Sequence, residues 1–151
     1  MQRAFVVLVL LGVAACTMTG REVLVTVDGV PVTVVSGRQT CIEVGDDDGG
    51  SGSWCGPLDM PEAVWLGAAP AGQRLVVAGQ APDEVAWVTL TSADETIRLD
   101  EEQTRQGPVL VALDVPPGNY EVTAETDDGS EYLSGELLLG REGTTMFSMT
   151  P

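Results

Sequence analysis

The stretch Glu22 to Val35 constrains the fold most, because its turn chemistry and its side-chain periodicity give the same answer. Asp28-Gly29 is a two-residue turn of the kind that closes a tight β-hairpin, where both central residues take positive φ. Pairing Val27 with Val30 across it places Val25 opposite Val32 and Val23 opposite Val34. All six valines then share one face, while Leu24, Thr26, Pro31, Thr33 and Val35 take the other, more mixed one. Pro31 has no N–H for the ladder, so its amide side is expected at a free edge.

Period-two patterning continues downstream. Thr40 to Val44 reads as a short strand leading into the glycine- and aspartate-rich loop Gly45 to Ser53. Gly56 to Gly72 is rich in Pro, Gly and Ala. Within it Met60 to Leu66 is expected to form a helical turn or two, with Trp65 on the core. Leu75 to Ala78, Val85 to Thr91 and Thr96 to Leu99 read as strands, and Asp100 to Gly107 as a polar loop. Val109, Val111 and Leu113 alternate with Leu110 and Ala112, a run apolar on both faces that suits a central strand. Tyr120, Val122 and Ala124 alternate with Glu121, Thr123 and Glu125, giving one buried and one wet face; Glu131 to Leu139 and Thr144 to Met149 supply the last strands. About eight or nine short strands with few helix signals indicate an all-β chain, an antiparallel β-sandwich of immunoglobulin-like or prealbumin-like type. An N-terminal β-hairpin and a disulfide-pinned loop complete a domain over residues 22–151. A possible seam at 67–72 divides the hairpin and disulfide portion from the sandwich.

The chain begins MQRAFVVLVLLGVAAC. One positive charge, Arg3, precedes an uncharged run of 12 residues from Ala4 to Ala15. As a helix that run spans about 18 Å, short of a hydrocarbon core of about 30 Å. A charged start, a short apolar run and small residues at its end make residues 1–15 a signal peptide. Val13-Ala14-Ala15-Cys16 resembles the lipobox of bacterial lipoproteins. The resemblance implies that the Cys16 thiol receives a diacylglycerol and that the chain is cut just before it. Residues 16–21 then form a lipidated tether, and the protein is lipid-anchored to the bacterial cell membrane on its extracytoplasmic face. Two acyl chains hold a protein on a bilayer where one barely does. The alternative is ordinary signal cleavage, which leaves Cys16 as a free thiol at the mature N-terminus.

There are three cysteines, Cys16, Cys41 and Cys55. With Cys16 acylated an even number remains, in an oxidising compartment, so a Cys41–Cys55 disulfide is expected. Reduced, buried thiols are the alternative. The bridge would pin both ends of the loop carrying Asp46, Asp47 and Asp48, with Trp54 covering it. Those three aspartates are candidate Ca²⁺ ligands, because Ca²⁺ takes oxygen donors from flexible loops. Asp46-x-Asp48-Gly49 is only a fragment of the alternating calcium-loop pattern, and a solvated loop is the plainer account. Asp46, Asp47, Asp48 and Trp54 also mark the candidate contact loop for an envelope protein or a glycan.

Leu113-Asp114-Val115-Pro116-Pro117-Gly118-Asn119-Tyr120-Glu121-Val122-Thr123-Ala124 resembles the strand-turn-strand phrase of small extracellular sandwiches of the transthyretin-like, Cna-B-like and carboxypeptidase-regulatory-like kinds. The resemblance covers about a dozen residues and implies architecture, not activity. It implies that Tyr120 packs inward with its hydroxyl bonded to nearby backbone, as in a tyrosine corner.

The composition excludes much chemistry. The sequence has no histidine and no lysine, which removes Ser-His-Asp and Cys-His nucleophile systems, His-ligated metals and Schiff bases. Nothing in the carboxylate spacing singles out a glycosidase pair, and no phosphate-cradling loop is present. A non-enzymatic binding module at the membrane surface is the expected role, with a structural subunit of an envelope complex as the alternative. No cofactor is expected beyond the diacylglycerol on Cys16. Removing residues 1–15 leaves 6 Arg against 23 acidic residues, a net charge of −17. Such a surface suits neither nucleic acid nor anionic headgroups, so lipid must do the holding.

The Cys41–Cys55 bridge closes a loop of about 15 residues and should contribute roughly 3 kcal/mol. Cys41→Ser is therefore expected to lower the thermal unfolding midpoint without abolishing the β-rich circular dichroism spectrum. An identical midpoint for oxidised and reduced protein would remove the disulfide.

Overall fold

The computed structural model describes residues 20–45, 51–105 and 107–151. In chain order the strands are β1 (Gly20–Val27), β2 (Val30–Ser36), β3 (Thr40–Val44), β4 (Gly52–Cys55), β5 (Val64–Ala71), β6 (Arg74–Gln80), β7 (Trp87–Thr91), β8 (Thr96–Arg98), β9 (Asp100–Thr104), β10 (Gly107–Ala112), β11 (Gly118–Glu125), β12 (Glu131–Leu139) and β13 (Thr144–Met149). They form three antiparallel sheets, of order β1-β2-β3-β4, β13-β5-β6-β10-β9 and β12-β11-β7-β8. No helix occurs among the described residues.

The five-stranded sheet lies between the other two, and its inner strands β5, β6 and β10 are buried on both faces. Alternate residues of a strand point to opposite sides, and here both sides are apolar. Val64, Leu66 and Ala68 of β5, Leu75 and Val77 of β6, and Leu110 and Ala112 of β10 pack with Val88, Leu90, Tyr120, Val122, Leu137 and Leu139 of the third sheet. Their alternates Trp65, Ala69, Ala71, Val76, Ala78, Val109 and Val111 pack with Val27, Val32, Val34, Ile42, Val44 and Trp54 of the first. The two-sided apolar run around Val109 is thus the signature of a sheet shared by two cores. The sandwich has a third layer, made by the N-terminal hairpin and the disulfide strands together.

The hairpin follows its turn chemistry, with Asp28 at φ 49° and Gly29 at φ 81°. Val27 pairs with Val30 and Val25 with Val32, as expected. A β-bulge at Leu24 then shifts the register, so that Val23 faces Thr33 and Glu22 faces Val34. The shift turns Val23 out of the core, and it is 60 % exposed. The strand β2 is an inner strand, so Pro31 has no free edge. Its carbonyl accepts from Gly45 N at 2.8 Å, at the point where β3 ends, and only one ladder bond is lost there.

Three other expectations are corrected. The helical turns over Met60 to Leu66 are absent: Ala63 N closes a single turn onto Met60 O, and β5 begins at Val64, although Trp65 is indeed buried. The possible seam at 67–72 falls inside the β5–β6 hairpin, and the connection between the first sheet and the shared one is 56–63. Asp100 to Gly107 is not a loop, because β9 pairs with β10 along the edge of the shared sheet. Its Asp-Glu-Glu-Gln-Thr sequence has no apolar alternation to reveal a strand, and its charges protect an open edge.

Small residues let the layers close. The indole of Trp54 lies on Gly67, where an added Cβ would come within 2.3 Å of the ring. Its Nε1 donates to Ala78 O at 3.0 Å, across to the neighbouring strand β6. Gly67→Val must expel that ring, and it is expected to lower stability by about 3 kcal/mol or more. Trp54→Phe keeps most of the contact and loses one buried hydrogen bond, a cost of about 1 kcal/mol for the bond itself. Urea unfolding of the two variants gives the comparison; equal stabilities would show that the ring does not rest on Gly67.

Candidate functional site

The hairpin geometry gives the molecule two ends. At the proximal end Gly20 pairs with Ser36, Ser36 with Thr40, and Gly56 N donates to Thr40 O at 2.9 Å. Cys41 and Cys55 sit directly opposite each other beside this row and form the expected disulfide, with an S–S distance of 2.05 Å. At the distal end, eight residues along β1, lies the Asp28-Gly29 turn. The strand length separates these ends by roughly 25 Å.

Trp54 does not cover the bridge. It is next to Cys55 in sequence and so points to the opposite face of the sheet, where it is 6 % exposed in the core. Its place as a contact residue is therefore corrected to a packing role. Asp46, Asp47 and Asp48 lie outside the described residues, as does Cys16. Among the described residues no group of three or more His, Cys, Asp or Glu side chains is placed to hold a metal ion.

A groove that sequence patterning did not reveal opens at the distal end. It has a volume of about 690 Å³ and is lined by the β5–β6 turn with Gln73 and Arg74, by Asp114 to Pro117, and by Arg141. Three turns from distant parts of the chain build it, and Val115 N holds two of them together by donating to Leu75 O at 3.0 Å. Arg74 Nε lies 3.7 Å from Asp28 Oδ2, with both side chains about half exposed. Asp114 adopts φ 58°, a left-handed conformation that costs a non-glycine residue roughly 1–2 kcal/mol. Two guanidinium groups beside one groove are notable in a chain this acidic. Arginine's planar fork matches carboxylate and other oxyanions.

The tyrosine expected from the turn braces one wall of this groove from behind, through Pro116. Tyr120 is buried and its hydroxyl donates to Pro116 O at 2.8 Å, which fixes the Pro116-Pro117 turn. Burial, and then the charge of Glu95, push its phenol pKa up, so it remains a donor at neutral pH.

The outer face of the third sheet is polar. Trp87 Nε1 donates to Glu125 Oε2 at 2.6 Å, and the Arg98 guanidinium carbon lies 4.7 Å from the Trp87 ring centroid. This stack occupies the aromatic face with the protein's own cation. Glu121 and Glu136 stand directly opposite each other on this face, beside Leu138 at 69 % exposure.

Comparison with protein-family models, with curated proteins and with solved structures found no match to this chain.

At the proximal end the Thr126–Ser130 turn is tied by Asp128, which accepts from Thr126 Oγ1 at 2.6 Å and from Ser130 N at 2.9 Å. The Thr126 hydroxyl, followed by the Ser130 donors, lowers its carboxyl pKa to about 2. The folded pKa lies below the ordinary value, so the carboxylate's contribution is present above about pH 4 and is lost as the pH falls through about 2. The stability difference between wild type and Asp128→Ala should therefore shrink as acid unfolding curves are taken from about pH 5 to about pH 2. A difference that stays constant over that range would show that the charged form makes no special contribution.

Proposed function

We propose that the protein is a membrane-anchored extracytoplasmic lipoprotein whose β body is a non-enzymatic binding module. Its distal groove takes an anionic group of an envelope protein or glycan. The observation that carries this reading is the opposition of the two ends. Gly20 stands four residues after Cys16, so a lipid on that thiol reaches no more than about 15 Å from the proximal end. The groove with Arg74 and Arg141 is lined by turns at the other end, where Arg74 lies beside Asp28.

Three features support the reading. The Cys41–Cys55 bridge suits an exported protein. The absence of histidine and lysine removes the commonest nucleophile-activating bases, which favours binding over catalysis. The groove is built from turns anchored in a doubly buried sheet, and a contact surface held on a rigid scaffold loses little entropy on binding.

Cys16→Ser is expected to leave the precursor uncleaved or to release the protein from the membrane, as read by fractionation and mass spectrometry of the N-terminus. Normal processing with unchanged membrane association would refute the anchor. Changing Arg74→Gln together with Arg141→Gln should leave anchoring intact and lower recovery of a membrane partner in a pull-down by about tenfold, on the scale of one or two charge-assisted contacts. A stoichiometric complex that survives this double change would place the contact elsewhere and favour a structural subunit.

A further inference from the structure

We propose that the proximal end of the fold is a second, shallow membrane contact, in which Leu58 and Met60 enter the headgroup region of the bilayer that holds the acylated Cys16. This rests on the anchoring reading above. Among the described residues the exposed large apolar side chains are Val23, Leu58, Met60, Leu113 and Leu138. The first three belong to the end where the chain emerges. Leu58, at 58 % exposure, and Met60, at 48 %, lie just beyond Gly56, which closes the row Gly20, Ser36, Thr40, Gly56. Four strands at about 4.8 Å spacing put that row within roughly 15 Å. The tether from Cys16 to Gly20 has a similar reach of about 15 Å. An anchor so short holds this end at the membrane surface rather than letting the body range freely.

The local shape and charge fit a shallow contact. Met60 sits with Pro57, Pro61 and Ala63 around a notch of about 280 Å³, so the apolar side chains stand on a stiff, proline-braced segment. Asp59 and Glu62 flank them, and the exposed Arg38 and Arg105 lie at the same end, where Arg105 N donates to Glu22 Oε2 at 3.0 Å. The contact is thus apolar rather than electrostatic, and it does not depend on anionic lipid. Flanking carboxylates limit it to the interface, about 5–10 Å deep, where amphipathic elements lie.

Cysteine usage makes the test clean. With Cys16 acylated and Cys41–Cys55 oxidised, Leu58→Cys introduces a single free thiol into the full chain. That thiol is labelled with a polarity-sensitive fluorophore, and the acylated protein is placed in phosphatidylcholine vesicles. Leu138→Cys, on a leucine at the distal end that is more exposed than Leu58, is the control, and Met60→Cys repeats the measurement at the second site. The expected result is a blue-shifted label at 58 and 60, quenched by bromines on the upper acyl chain, with neither effect at 138. An acylated protein whose labels at 58 and 138 both report water overturns the contact while leaving the anchor standing. A blue shift at 58 that bromines do not quench and that grows with protein concentration assigns the surface to a second copy of the chain, and also overturns it. Protein that carries no lipid and does not bind the vesicles removes the anchor itself, and this contact with it.

Discussion

Everything in this fold depends on burying one sheet from both sides. A sheet with one wet face can alternate polar and apolar residues; a sheet covered on both cannot. The strands β5, β6 and β10 meet that demand with apolar side chains at consecutive positions, Val64 to Leu66, Leu75 to Ala78 and Val109 to Ala112. Each fully buried Val or Leu contributes about 1.5–3 kcal/mol relative to exposure, so the shared sheet draws stabilisation from two cores at once. The same double burial sets a size limit. Trp54 lies against Gly67, and Trp65 against Gly56, where an added Cβ would come within 2.6 Å of the indole ring. Large rings fit between layers only where the facing backbone is bare.

That limit explains which parts of the fold were legible in the sequence. The hairpin was readable because turn residues and periodicity agree, and β10 because its run is apolar on both faces. Tyr120 was readable from its phrase, and its hydroxyl bond to Pro116 has the expected form. The strand β5 was not. Its Gly67, Ala68, Ala69 and Pro70 have poor strand propensity, yet these residues are required where a tryptophan and a second sheet press on the backbone. Pro70 is tolerated because β13 pairs with β5 only as far as Ala68. Local preference and tertiary demand conflict there, and the tertiary demand prevails.

The candidate site was less legible than the fold for a related reason. The aspartate loop drew notice through composition, and Trp54 through its neighbourhood to Cys55, but adjacency in a strand means opposite faces. Ile42 pairs with Trp54 and Cys41 with Cys55, so the ring and the bridge are separated by the thickness of the sheet. The distal groove could not be read at all, since Arg74, Asp114 and Arg141 come from three turns that meet only when β5, β6, β11 and β13 are in place. The bulge at Leu24 was hidden in the same way: the valine pattern favoured an unbroken register, and only the packed sheet shows that Val23 is turned outward.

The layered architecture also bears on how a lipid-anchored body would work. A two-layer sandwich tethered through a separate hairpin would let the hairpin peel away from the body. Here the hairpin is one wall of a core, and β4 of the same sheet carries Trp54 into contact with Ala78 of the shared sheet. The proximal row and the distal groove are therefore mechanically continuous, joined by strands that span the molecule. An orientation imposed at one end by a short lipid tether, as proposed, would be transmitted to the other through those strands. Under the proposed anchoring, a groove presented in this way would keep a fixed height and direction above the surface, which would favour a partner that is itself held in the envelope. For such a partner, preset geometry would raise the effective concentration of the contact and allow a modest interface, two arginines beside an open groove, to be sufficient.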